Sequence, residues 1–153
     1  MSTPQPGEPA PDFILPSTQG DISLHNLTAE KKVVLAFYFE DATPLCTSEV
    51  ATLKEDYDLI RDLGAEVVAI SGDSLTSHEA FARRLGGFPF PLVSDSDLLA
   101  ARLYDVLDET GRRSRRAVFV IDRGGNVLHA IGWYQPGNVA QYEEIFRVLG
   151  FEG

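Results

Sequence analysis

The chain's only cysteine, Cys46, lies in the stretch EDATPLCTSE (40–49), three residues after Thr43. A lone cysteine is most often an inert core residue, so its position must justify anything more. Thr43 suits a helix N-cap, and Pro44 suits the first helical position, where no N–H is needed. Leu45 and Cys46 then follow as the second and third helical residues. Val50, Leu53, Tyr57 and Ile60 continue an apolar stripe from Cys46 at spacings of four, three, four and three. Upstream, VVLAFYF (33–39) is an unbroken run of β-favouring residues, suited to a strand buried on both faces. Cys46 therefore falls in the first turn of a helix just past the carboxyl end of a buried strand, a favoured place for α/β binding crevices. There it meets unpaired backbone N–H groups and the positive end of the helix dipole, both of which favour the reactive thiolate.

Magnitudes show what else such a nucleophile needs. An ordinary thiol is only about 3% ionised at pH 7, and a helix terminus contributes about 0.3–1 kcal/mol. A nearby guanidinium supplies a further shift of about 1–3 units. Complete ionisation raises the thiolate fraction only about thirtyfold, while nucleophilicity falls as the thiol becomes more acidic. Donors aimed at the charge that develops on a substrate are needed as well. The backbone amides of Leu45 and Cys46 and the Thr43 hydroxyl are candidates. Arg116, fixed by the strand AVFVI (117–121) that it precedes, is the candidate guanidinium. Arg115 would serve only if the register were off by one, because neighbouring strand residues face opposite ways.

The elements that must hold these residues are legible along the chain. DFIL (12–15) and DISLH (21–25) flank a PSTQG turn as a small hairpin, after a proline-rich lead-in. The cysteine-bearing helix ends near Gly64 and is followed by the buried strand EVVAIS (66–71). A second helix is expected from about Ser77 to Leu85, with Thr76 and Glu79 spaced as a capping box. An irregular segment, GGFPFPLVSDSD (86–97), carries a short strand and leads to a helix around Leu98–Tyr104. AVFVI and VLHAI (127–131) form a hairpin about DRGGN, and a closing helix spans about Asn138–Leu149. Two βα units feeding an antiparallel hairpin and a last helix predict one α/β domain over residues 1–153. Its expected architecture is a thioredoxin-like fold: a mixed central sheet flanked by helices, with an N-terminal β-hairpin.

Composition narrows the function classes. The net charge of −10 and pI near 4.6 argue against nucleic acid and anionic membranes as partners. RRSRR (112–116) reads as a solvated loop with one functional arginine rather than a nucleic-acid patch. No run approaches the ~20 apolar residues of a membrane span, and MSTPQPGEPAPDF lacks the basic and apolar regions of a signal peptide. One cysteine makes no internal disulfide, so the expected location is cytoplasmic. His25, His78 and His129 are scattered and are expected at the surface or core edge, without a carboxylate partner and without a metal. Gly124-Gly125 is a hairpin turn, since no helix follows it. Trp133, Phe88 and Phe90 are expected to pack in the core, with a pocket or an interface as the other possibilities.

Taken together, Thr43-Pro44-Leu45-Cys46-Thr47-Ser48-Glu49 resembles the peroxidatic-cysteine motif of peroxiredoxins, Pro-x-x-x-Thr-x-x-Cys. The continuation Cys-Thr-x-Glu is similar to the bacterioferritin-comigratory, PrxQ-like branch. GEPAPDFIL, VVLAFYF, VVAISGDSLTSHEAF, FPFPLVSDSD and RAVFVIDRGGNV resemble family segments in order, while WYQPG (133–137) resembles the AhpE-like branch. The resemblance implies a thiol-dependent peroxidase, without cofactor, that acts on hydrogen peroxide or organic hydroperoxides. Cys46 would be the nucleophile and would become a sulfenic acid. Thr43 would hydrogen-bond the peroxide or thiolate, Arg116 would stabilise developing charge, and Glu49 would orient Arg116. Phe39, Pro44 and Leu45 would line the pocket.

Two departures stand out. The motif proline, seven residues before the cysteine, is here Phe39, which restores an N–H and adds a ring. That ring could extend the strand, cover the pocket as proline does, or obstruct the peroxide. The resolving cysteine found in many PrxQ-like proteins five residues after the first is here Ala51. A one-cysteine enzyme is implied, recycled by an external thiol (thioredoxin, glutaredoxin or a low-molecular-weight thiol), as a monomer or homodimer. The rival reading is a non-catalytic redox sensor or interaction protein.

Overall fold

The computed structural model describes residues 3–151. Five strands form the central sheet: β3 (Lys32–Phe37), β4 (Ala65–Ser71), β5 (Leu92–Ser94), β6 (Ala117–Ile121) and β7 (Val127–Ile131), in the order β5-β4-β3-β6-β7. β3, β4 and β5 run parallel, while β6 and β7 run antiparallel to their neighbours, so the sheet is mixed. A separate two-stranded sheet, β1 (Ile14–Leu15) with β2 (Ile22–Ser23), is the expected N-terminal hairpin in shortened form. It shortens because β2 stops at Ser23, whose side chain caps α1 (Leu24–Thr28) by accepting a hydrogen bond from the Asn26 N–H, so that His25 falls in a helix.

Period-two alternation in β3 explains why its whole run is apolar. Val34 and Ala36, with Tyr38 just beyond, face one core cluster; Val33, Leu35 and Phe37 face the other. The first cluster takes the inner faces of α2 (Pro44–Glu55), α3 (Tyr57–Asp62), α4 (Leu75–Arg84) and α6 (Val139–Leu149). The second takes α1 and α5 (Leu99–Leu103). This is the expected thioredoxin-like, mixed-sheet α/β architecture.

Local differences have identifiable causes. The expected helix to Gly64 is two helices, broken at Asp56, whose carboxylate accepts a 2.6 Å bond from the Tyr142 hydroxyl of α6. The stripe of Cys46, Val50, Leu53, Tyr57 and Ile60 is buried across that break. α4 starts two residues earlier than expected because Ser74, not Thr76, accepts from the Ser77 N–H. The proline-rich lead-in packs on the sheet: Gly7 N–H donates to the Val127 carbonyl and Val127 N–H to the Glu8 carbonyl, both at 2.8 Å. No helix among the described residues is long and apolar enough to cross a membrane.

Candidate active site

Strand β3 ends at Phe37, and residues 38–43 turn the chain into α2. Thr43 is the N-cap by backbone conformation and Pro44 the first helical residue, which places Cys46 in the first turn as expected. Cys46 is wholly buried. Its Sγ accepts the backbone N–H of Phe39 at 3.3 Å. Thr47 N–H closes the first helical turn on the Thr43 carbonyl at 2.8 Å, so the amides of Leu45 and Cys46 have no intrahelical acceptor.

Thr43 departs from expectation in its side chain. Its hydroxyl does not cap the helix; it donates to the Glu40 carbonyl at 3.1 Å, which leaves its oxygen free to accept. The turn that brings it there passes through Ala42 at φ 66°, a left-handed conformation unusual for alanine.

The register of β6 settles where the two arginines go. Ala117 pairs with Phe37, so Arg116 enters beside the carboxyl end of β3. Arg115 is already engaged: its Nε donates to the Gly132 carbonyl at 2.6 Å, and its guanidinium lies 4.8 Å from the Trp133 ring centre. Arg116 Nε is buried with no partner among the described residues. Glu49, nearly fully buried, likewise has no partner for either carboxylate oxygen. Burial pushes the Glu49 carboxyl well above its ordinary value, and the Arg116 charge pulls it partly back. The hydroxyl of buried Tyr134 is pushed up to about 12, first by burial and then by the Glu49 charge.

A cavity of about 330 Å³ lies against Arg116, lined also by Phe39, Arg115, Trp133 and Tyr134; Cys46, Thr43 and Glu49 are not among its lining residues. Phe39 does not extend the strand. Its half-buried ring forms part of the cavity wall under the Arg113 guanidinium at 5.3 Å, and Arg113 pairs with Glu40 at 3.2 Å. Of the three unassigned aromatics, Phe90 is core and Phe88 packs against it, whereas Trp133 is exposed on the cavity wall. Pro44 and Leu45, also expected to line the pocket, are exposed and neither is part of this wall.

His78 corrects the sequence reading. It is wholly buried, and its Nδ1 lies 2.8 Å from the Asp41 carboxylate while Nε2 faces the Val93 carbonyl at 2.9 Å. A neutral imidazole has only one N–H, so the tautomer decides which of these two contacts the ring donates. Asp41 also accepts the Tyr38 hydroxyl at 2.6 Å and the Ser77 hydroxyl at 2.8 Å, and its N–H donates to Asp73 at 2.9 Å. Burial raises the Asp41 carboxyl, but donation from His78, Tyr38 and Ser77 outweighs it and leaves the group below its ordinary value. Asp41, Asp73 and His78 offer ligand atoms within 4.8 Å of one another, yet hydrogen-bond donors already occupy the carboxylates. The cluster anchors the 38–43 turn. The available signal was that Asp41 and SGDS (71–74) follow adjacent parallel strands, with His78 one turn before buried Phe81.

The profile of the AhpC/TSA family matches residues 6–130. The chain belongs to the AhpC/TSA family, the peroxiredoxins. It is 36% identical to a peroxiredoxin of Thermoplasma volcanium over 149 residues, covering 94% of this chain and 72% of that one. It is 35% identical to the putative peroxiredoxin bcp of Coxiella burnetii over 132 residues, covering 82% and 85%. The crystal structure of peroxidoxin BcpB from Mycobacterium tuberculosis superposes with a TM-score of 0.83 at 28% identity, covering 95% of this chain and 96% of that one. A peroxiredoxin is a peroxidase, so a peroxide is the substrate class.

Proposed function

We propose that this peroxiredoxin works as a one-cysteine thiol peroxidase, with Cys46 as the peroxidatic nucleophile. The observation that carries the reading is the seat of the chain's single cysteine: first turn of α2, at the carboxyl end of β3, the strand end beside which Arg116 enters with its Nε unpartnered among the described residues. The Cys46 thiolate attacks the terminal oxygen of ROOH; an S–O bond forms and the O–O bond breaks. RO⁻ leaves with the electron pair and takes the proton given up by the thiol, and sulfur carries the hydroxyl as a sulfenic acid. One external thiol condenses with the sulfenic acid, releasing water and leaving a mixed disulfide. A second reduces that disulfide, restoring Cys46 and yielding the oxidised reductant.

Within this reading Thr43 Oγ1 accepts the peroxide O–H, a role its donation to Glu40 leaves open. Arg116 and the Leu45 and Cys46 amides meet the charge on the leaving oxygen. Glu49 sets the field at Arg116 without a direct bond.

Stopped-flow oxidation of Cys46 at pH 7, with intact mass to identify the product, tests this. A rate orders of magnitude above free cysteine, lost in Arg116→Ala, is expected; a rate equal to free cysteine with both hydrogen peroxide and an organic hydroperoxide sinks it. Complete burial of Cys46 favours a second reading, a slow redox sensor. Multiple turnovers with a thiol reductant distinguish the enzyme, because a sensor is oxidised once.

A further inference from the structure

Position 39 is where the family motif carries proline, which has no N–H to donate. Here the Phe39 N–H points at Cys46 Sγ, with N···S 3.3 Å. The peptide unit that bears it is held from its other side as well. The Tyr38 carbonyl accepts the hydroxyl of buried Ser114 at 2.9 Å, and Tyr38 N–H donates to the Ile70 carbonyl at 3.0 Å. In a trans peptide the C=O and N–H point in opposite directions, so fixing the carbonyl on Ser114 aims the N–H at the sulfur. Cys46 is out of contact with solvent, where a hydrogen bond to a charged acceptor acts strongly.

We propose that the Phe39 backbone N–H is a catalytic donor to the Cys46 sulfur, a contact the motif proline cannot make, and that Ser114 is its positioning residue. The proposal rests on Cys46 being the peroxidatic nucleophile. As the S–O bond forms and RO⁻ departs with the O–O electron pair, negative charge leaves the sulfur. The N–H therefore holds the ground-state thiolate more tightly than the transition state. Two effects oppose each other: more thiolate at low pH, and a weaker nucleophile once ionisation is complete.

The size of this trade follows from general magnitudes. One hydrogen bond to a charged acceptor moves an ionisation by about one pH unit. Nucleophilicity changes with thiol basicity at a Brønsted slope of about 0.4–0.5. Loss of the donor therefore slows peroxide reduction about threefold on the acidic arm of the pH profile and speeds it about threefold on the basic arm. The two profiles cross, which a loss of packing alone would not produce.

Phe39→Pro removes the N–H and the ring; Phe39→Ala removes the ring and keeps the N–H, so the informative comparison is between these two. Tyr38 N–H continues the β3–β4 hydrogen bonding one residue past the strand, onto the Ile70 carbonyl, and an extended residue suits the position before proline. Crossing rate profiles are expected, with the thiolate absorbance at 240 nm, corrected by Cys46→Ser, rising about one pH unit later in the proline variant. Ser114→Ala should move that transition in the same direction by less. Superimposable profiles and coincident transitions overturn the proposal. If no variant outpaces free cysteine with any peroxide, the peroxidase reading fails, while the 240 nm transition, which needs no peroxide, still decides the donor. If Phe39→Pro does not fold, ¹⁵N-phenylalanine labelling of the wild type takes its place. The Phe39 amide proton should titrate together with the thiol and shift in Cys46→Ser; an indifferent amide overturns the proposal.

Discussion

Two sets of buried and partly buried polar side chains lie near the turn that follows β3, and they differ in how fully they are hydrogen-bonded. In the first, Tyr38, Asp41, Asp73, Ser77 and His78 satisfy one another, and the Asp41 carboxylate alone takes three side-chain donors. In the second, both Glu49 oxygens and Arg116 Nε are buried without partners. Leaving a buried polar group unpaired costs about 1–3 kcal/mol, more for a charge. A fold that satisfies one set and tolerates the other's cost divides its labour: the first set holds the turn, and under the proposed function the second keeps its capacity for a substrate.

The largest effect should come from breaking the satisfied set. Asp41→Ala removes the carboxylate partner of the wholly buried His78 together with the acceptor of the Tyr38 and Ser77 hydroxyls. Destabilisation of about 3–5 kcal/mol is expected, the range for removing one partner of a buried pair. Denaturant unfolding would show this as a lower midpoint at unchanged slope. A loss below about 1 kcal/mol would mean that the network is dispensable and the contrast false.

Arg116→Ala should show the reverse pattern. Stability should change by less than about 1 kcal/mol, since Nε gives up no hydrogen bond. The peroxide rate constant should fall about 10²–10³-fold, as when one preorganised donor is deleted from a reacting centre. Stopped flow and thermal melting on the same preparation measure both. A variant that unfolds easily and still reacts at the wild-type rate would put Arg116 with the scaffold.

Acid titration sharpens the comparison because the two carboxyls carry opposite signs. Glu49 is raised above its ordinary 4.5 by burial, so its contribution to folding is intact below about pH 4.5 and is lost as pH rises through its folded value. Asp41 lies below its ordinary 3.8; its contribution is intact above that pH and is lost as pH falls through the depressed value. Unfolding free energy should therefore fall more steeply from pH 4.5 upward in the wild type than in Glu49→Gln. Asp41→Asn should flatten the loss on the acid side of pH 3.8 instead. Parallel curves for the wild type and Glu49→Gln would show that Glu49 gains a partner in solution.

The same division explains what the sequence disclosed. Cys46, its helix start and the buried strands are written in local order, where a proline at the first helical position and an apolar run have direct conformational meaning. Arg116 followed from the strand it precedes, since a register holds alternate residues to alternate faces. The Asp41–Asp73–His78 network joins segments more than thirty residues apart in sequence, and only the parallel pairing of β3 with β4 brings them together. Thr43 was legible as a position but not as an orientation, because the Glu40 carbonyl competes for its hydroxyl. Ser74 and Thr76 were both chemically fit to cap α4, and two residues of backbone chose between them.

Ala42 joins Asp41 of the satisfied set to Thr43, the N-cap of the cysteine-bearing helix, and it does so at φ 66°. A left-handed conformation costs a non-glycine residue about 1–2 kcal/mol, while glycine loses about 0.5–1 kcal/mol more backbone entropy on folding than alanine. Ala42→Gly should therefore stabilise the fold modestly, by about 0–1.5 kcal/mol. Its rate is the more telling readout. The turn carries the Phe39 N–H and the Thr43 hydroxyl, and glycine lets both wander, so peroxide reduction should slow even as melting temperature rises. A variant that gains stability and keeps its full rate would mean that the satisfied network positions the turn unaided, with Ala42 only tolerated in it. If stability rises and the rate falls, the strain itself is part of how the scaffold holds the reacting residues in register.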